Sequence, residues 1–139
     1  MTDTVQDLAH RYTAAWSSQN AVSVAACYSS TGSLSVNDSP PAVGRTAITE
    51  VAQGFMTTFP DMQLAMDGLS PDGDRFTYRW TLRGTNTGPG GMGKRVHISG
   101  FEVWRIGADS LIAESRGHFD SAEYQRQLQH GAKEPPLKK

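Results

Sequence analysis

Cysteine is nearly absent from the 139 residues: Cys27 stands alone, in a segment that reads as helix, so the chain can close no disulfide within itself. Charge of one sign is also missing. The 13 basic and 14 acidic residues leave a net charge of -1, and no run of like charge precedes Lys138 and Lys139. That distribution excludes the electrostatic footprint of a protein that binds nucleic acid or an anionic membrane surface. No stretch approaches the ~20 apolar residues of a membrane span, and the opening MTDTVQDLAHRY is polar where a signal peptide needs a basic start and an apolar run. The expected place is the cytoplasm. Histidine is scarce, and His10, His97, His118 and His130 have no metal-type spacing with one another or with Cys27. GPGGMGK lacks the final Ser or Thr of a phosphate-binding loop, and no serine stands in a nucleophile-elbow pattern. A chemistry free of metal, nucleotide and covalent intermediate remains.

What is present is a helical period followed by an alternating one. Val5, Leu8, Ala9, Tyr12, Ala15 and Trp16 recur at helical spacing, with Asp3 and Gln6 as a capping box, and predict a helix from Thr4 to Ser17. Asn20 caps a short second helix through Cys27, after which SSTGS breaks the pattern and Leu34 to Val36 starts a strand. A third helix carries Ile48, Val51, Ala52, Phe55 and Phe59 on one face and stops at Pro60, because proline disfavours helix in the residue before it.

From Asp61 onward the punctuation is that of hairpins. Strands are expected over Met62 to Leu69, around Phe76, Tyr78, Trp80 and Leu82, over Arg95 to Ile106, and over Leu111 to Phe119, with SPDGD as a turn. A last helix runs from Ser121 to Gln129. Helices followed by hairpin-linked strands indicate an α+β fold with an antiparallel sheet. Residues 1–130 suffice for one domain, and 131–139 reads as a flexible tail.

Alternation along the last strand puts Glu114, Arg116, His118 and Asp120 on one side, the richest polar constellation in the chain. It is either a solvated face or the polar end of a pocket. Asp120 also begins a second capping box with Glu123. On the preceding strand Ile98, Gly100, Glu102, Trp104 and Ile106 share a face; a buried Glu102 needs a partner, and Arg116 on the neighbouring strand is the one expected. Tyr12, Trp16, Phe55, Phe59, Trp80 and Trp104 are core side chains or the aromatic walls of a pocket for a flat ligand.

Several short motifs, in order, resemble the SnoaL-like polyketide cyclases of the nuclear transport factor 2-like superfamily. They are Tyr12 to Trp16 (YTAAW), Gly44-Arg45, Phe59-Pro60-Asp61, Arg79-Trp80 leading to Gly84-Thr85, Gly93-Lys94, and Asp120 followed by Gln127-Leu128. The resemblance implies a cone-shaped fold in which a strongly curved antiparallel sheet wraps around N-terminal helices and encloses a pocket. It also implies a cofactor-independent site where Asp120 moves a proton during aldol closure, and a homodimer through the sheet's other face. The chain departs from the pattern at Asn86, where a histidine is usual, and at Arg116, where a tryptophan is usual; Arg116 in the pocket implies an anionic or strongly polar ligand group.

The expected function is therefore acid/base catalysis on a polyketide-like carbonyl compound, as cyclase or isomerase. Asp120 would act as base, His118 would tune or relay the proton, and Glu102 or Arg116 would stabilise an enolate oxygen. Tyr12, Trp16, Phe55, Phe59, Trp80, Trp104 and Glu114 would complete the walls. A small-molecule binding protein without turnover and a small epoxide hydrolase are the alternatives.

Overall fold

The computed structural model describes residues 2–132, with side chains from Thr4 onward. Lys138, Lys139 and most of the expected tail lie outside the described residues, as does the side chain of Asp3. The elements are α1 (Thr2–Ser17), α2 (Ala21–Ala26), β1 (Tyr28–Val36), β2 (Ala42–Val43), α3 (Arg45–Thr58), β3 (Gln63–Asp72), β4 (Arg75–Thr85), β5 (Arg95–Ile106), β6 (Ile112–Phe119) and α4 (Ser121–His130). Among the described residues no helix is long and apolar enough to cross a membrane.

The helices form where the apolar period and the caps require them. Val5, Leu8, Ala9, Tyr12, Ala15 and Trp16 make one buried stripe on α1. Asn20 caps α2 by accepting the Ser23 N–H at 3.0 Å. Helix α3 starts behind Gly44, whose φ of 92° is a conformation that glycine reaches without strain. It buries Ile48, Ala52 and Met56 and ends at Phe59, before Pro60.

The sheet has six strands in the order β2-β1-β6-β5-β4-β3. From β3 to β6 each strand pairs antiparallel with the next, as hairpin punctuation predicts. The hairpin between β3 and β4 is tighter than expected. Strand β3 runs on to Asp72, opposite Arg75, and Gly73 at φ 64° makes the reversal. Pro71 is tolerated inside it because β3 is an edge strand, whose missing N–H breaks no inner ladder.

Strand β1 departs from the sequence reading. It begins at Tyr28, includes SSTGS, and pairs parallel with β6. A parallel neighbour requires a long crossover, and everything from β2 through β5 supplies it. Gly32 is needed there: a Cβ would stand 2.8 Å from the Ile112 carbonyl oxygen. Register shifts in β1, in β3 between Met66 and Gly68, and between β5 and β6 at Arg105 and Ile106 bend the sheet.

The inner face carries Tyr78, Trp80 and Leu82 from β4 and Ile98, Glu102 and Trp104 from β5, all buried. Tyr78 and Trp104 stack with ring centroids 4.7 Å apart, and Tyr12 of α1 stands edge-on to both. Burying each such ring is worth roughly 1.5–3 kcal/mol, so this cluster ties α1 to the sheet. Trp80 lies opposite Gly100 on β5, where a Cβ would approach its Cζ2 to 2.6 Å.

Candidate functional site

Alternation on β5 brings Glu102 to the inner face, between Tyr78 on β4 and Gly117 on β6. An isolated carboxylate there would be prohibitive, so it is met by donors. Its Oε1 accepts from Trp104 Nε1 at 2.8 Å, Ser115 Oγ at 2.8 Å and the Tyr12 hydroxyl at 3.0 Å, and the same hydroxyl lies 3.1 Å from Oε2. Tyr28 completes the chain, its hydroxyl 3.0 Å from that of Tyr12. All these donors are neutral. Burial therefore dominates and raises the Glu102 pKa above its ordinary value, although the bonds from Trp104, Ser115 and Tyr12 pull the other way. Burial and the Glu102 charge likewise hold the Tyr12 hydroxyl well above its ordinary value.

Small residues on the inner side of β6 leave space above this carboxyl. Gly117, directly opposite Glu102, has no side chain to fill it. A cleft results, lined by Trp16 of α1, Leu34 and Val36 of β1, Val51 and Phe55 of α3, Trp80 and Leu82 of β4, Glu102, Phe119 and Tyr124. Phe59, Leu64 and Ile98 complete the wall. Its empty space is about 650 Å³ including the open mouth, and the part open to the centre of a water-sized sphere is about 60 Å³. One water needs roughly 10–15 Å³ on the latter measure, so the cavity exceeds a single hydration site.

Two indole nitrogens in this wall have no hydrogen-bond partner among the described residues. Trp16 Nε1 and Trp80 Nε1 are buried without a hydrogen bond, and both rings line the cleft. The Trp16 N–H lies near enough to the Tyr12 hydroxyl to favour its ionised form without reaching hydrogen-bonding geometry.

The structure distributes the expected site residues over three places. Trp16, Phe55, Phe59, Trp80 and Glu102 line the cleft. Tyr12 and Trp104 stand behind it and hold Glu102. Glu114, Arg116 and His118 do share a face of β6, but that face is the outer one. Trp104 pairs with Ser115 and Arg105 with Glu114, so Ser115 goes inward and Glu114 outward.

On the outside Glu114 lies 3.2 Å from Arg75, 3.8 Å from Arg105 and 3.1 Å from Arg116. The Glu102–Arg116 pair expected from the sequence is replaced by neutral donors on one side and Glu114 on the other. An anion-binding Arg116 in the cleft is likewise corrected: the side chain is exposed.

Asp120 is exposed at the start of α4, where its carboxylate accepts the Glu123 N–H at 3.0 Å. With Asn37, Asp38, Ser99, Phe101, His118 and Ser121 it borders a shallow depression on the outer side, and the His118 ring lies 5.1 Å from that of Phe101. Phe119 borders both the depression and the cleft. Tyr28, Ser115 and Gly117 were missed by sequence reasoning. The signal for the last two was present, since small residues alternating on β6 are what a cavity wall requires. Among the described residues no three His, Cys, Asp or Glu side chains gather where they could hold a metal ion.

Comparison with known proteins bears on the family and the fold. The family described as SnoaL-like polyketide cyclase matches residues 6–128. No curated protein matches. Among solved structures, one from Xanthomonas campestris pv. campestris described as a polyketide cyclase superposes with a TM-score of 0.79 at 17% identity, covering 91% of this chain and 97% of that one. TsrD from Streptomyces laurentii gives 0.77 at 23% identity, over 91% and 95%. TerC, crystallised with polyporic acid, gives 0.77 at 14% identity, over 91% and 98%. At these identities the structural likeness establishes the curved-sheet α+β fold.

Proposed function

Because this chain belongs to the SnoaL-like polyketide cyclase family, we propose that it is a cofactor-independent acid/base enzyme of secondary metabolism, working in the cytoplasm on a polyketide-like carbonyl compound. The reaction is a cyclisation or isomerisation that moves a proton on carbon next to the carbonyl. One observation carries this: Glu102 is the sole acidic side chain among the cleft-lining residues, and burial raises its pKa. A carboxyl shifted toward neutrality is better matched to taking and returning a proton near neutral pH than one at its ordinary value. The role first assigned to Asp120 and His118 passes to Glu102, since those two border the outer depression. The outer sheet face, with Arg75, Arg79 and Arg83, would pair with a second copy; a monomer mass by light scattering at micromolar concentration overturns that assembly.

The test is deuterium uptake from D₂O at the carbon beside the carbonyl of 2-tetralone, followed by NMR. Uptake faster than in buffer and lost in Glu102→Gln supports the reading. No acceleration over buffer removes 2-tetralone turnover and favours a binding protein. That second reading has its own support, because Tyr12, Trp104 and Ser115 already occupy the Glu102 oxygens.

A further inference from the structure

Glycine inside a strand weakens it, and three things account for one: a bulge, atoms packed too close for a Cβ, or a ligand that comes near. Gly32, Gly84 and Gly100 in the sheet are of the second kind, since a Cβ at each would stand 2.8, 3.0 and 2.4 Å from its nearest neighbour. Gly117 on β6 fits neither of the first two. No register shift falls at it in the pairing with β1 or with β5, and its φ lies outside the left-handed region. Besides its chain neighbours, a Cβ there would meet within 4 Å only the Ser35 carbonyl oxygen at 3.4 Å and Glu102 Cγ at 3.6 Å, both ordinary contacts. Yet the residue is buried. The missing side chain therefore faces space rather than packed atoms, and that space is the cleft. Gly117, its partner Val36 on β1 and its partner Glu102 on β5 all line it.

We infer that Gly117 is a specificity-determining residue: the gap it leaves between Val36 and Glu102 seats the edge of a flat ring ketone against the Glu102 carboxyl. The walls that continue from the gap, Trp16, Phe55, Trp80 and Phe119, suit the faces of such a ring. An alanine at 117 narrows the gap where the reacting end of the ligand must lie. The strand itself gains by the exchange, because alanine loses less conformational freedom than glycine on folding. Loss of ligand without loss of fold separates this role from that of Gly100, where packing forbids a Cβ. The inference rests on the cleft being the site of Glu102 chemistry and adds the residue that governs access to it.

Gly117→Ala in the full-length, nitrogen-labelled protein, with 2-tetralone as the probe, tests it. The variant should melt no lower than wild type. Without ligand its Trp104 indole N–H signal should stay in place, as the bond from that group to Glu102 is kept. In this intact fold 2-tetralone should bind about 5- to 100-fold more weakly by NMR titration, the scale of one methyl group forced into a filled site. The kcat/KM for its deuterium uptake from D₂O should fall by at least as much. Affinity and uptake within about twofold of wild type overturn the inference and leave Glu102 as the acid/base group. A variant that melts lower or fails to fold, or whose Trp104 signal moves without ligand, also overturns it, because the glycine is then structural. Where wild type binds 2-tetralone without speeding uptake and Gly117→Ala binds it more weakly, the inference stands and the catalytic reading falls. If 2-tetralone moves no cleft signal of the wild type, both fall.

Discussion

Glu102 and Glu114 stand on neighbouring strands of one sheet and differ mainly in which face they occupy. Inside, Glu102 meets only neutral donors, and its burial raises its pKa. Outside, partial burial pushes Glu114 up as well, but the bonds and charges of Arg116 and Arg75 outweigh it and lower the pKa. Desolvation acts on both groups, and the presence or absence of arginine decides the sign. Burial thus favours the neutral form of the carboxyl on the face that has the cleft, and the arginines favour the charged form of the carboxyl on the other.

The largest expected effect on stability comes from cutting out the inner carboxyl. Glu102→Ala strands the Trp104, Ser115 and Tyr12 donors around a cavity and should cost about 3–5 kcal/mol in urea denaturation. Glu114→Ala should cost no more than about 1 kcal/mol, because its ion pairs are partly solvated. Equal costs would erase the contrast between the faces.

For activity, Glu102→Gln should slow deuterium uptake into 2-tetralone by about 100-fold or more, the scale of general acid/base catalysis. Asp120→Asn keeps a good helix cap and should leave the rate within about threefold. The reverse pattern would return the chemistry to the outer depression.

A third test compares the faces around Trp80. Gly100→Ala would drive a methyl group against the His118 carbonyl and to 2.6 Å from Trp80 Cζ2, and should cost about 1–3 kcal/mol. Arg79→Ala, on the outer side of the same strand, should change stability by no more than about 0.5 kcal/mol. A harmless alanine at Gly100 would mean that the Trp80 ring can leave the sheet easily.

The smallest effects are in pH dependence, and the two carboxyls should slope in opposite directions. Glu102 binds its proton more tightly folded than unfolded, so its contribution is present at low pH and is lost as the pH rises from about 4.5 through the folded pKa. Wild type should lose stability relative to Glu102→Gln across that window. Glu114 binds its proton less tightly folded, so its contribution is present above about 4.5 and disappears as the pH falls through the lowered pKa. Wild type should then lose its advantage over Glu114→Gln. Parallel slopes in thermal melts from pH 3 to 8 would show that the environments do not differ as described.

Much of this arrangement is legible in residue order. The alternation of Phe76, Tyr78, Trp80 and Leu82 with arginines and threonines marks the inner and outer sides of β4, and Glu102 falls on the inner face of β5 as its spacing predicts. Several motifs that carry the resemblance hold the fold together. Asp61 accepts both the backbone N–H and the hydroxyl of Thr85, each at 2.7 Å, and Gln127 bonds the backbone of His97 at 2.7 and 3.1 Å. Strand β1 was not legible beyond its end, because its polar, glycine-containing middle earns its place only by pairing with β6, a partner far along the chain.

The alternation of β6 shows the limit most clearly. The sequence by itself determined that Glu114, Arg116 and His118 would share a face and that Ala113, Ser115 and Gly117 would share the other, because a strand's side chains alternate whatever surrounds them. It also determined the helices, their stops and the hairpins, which depend on neighbours a few residues apart. Which face of β6 would look inward was decided only by tertiary structure. Register against β5 set Ser115 beside Trp104 and Gly117 beside Glu102, and the bend of the sheet made that the concave side. The same pairing surrounded Glu114 with arginines from three strands and left Glu102 with none, so the direction of each pKa shift arises from contacts between strands that no local pattern contains.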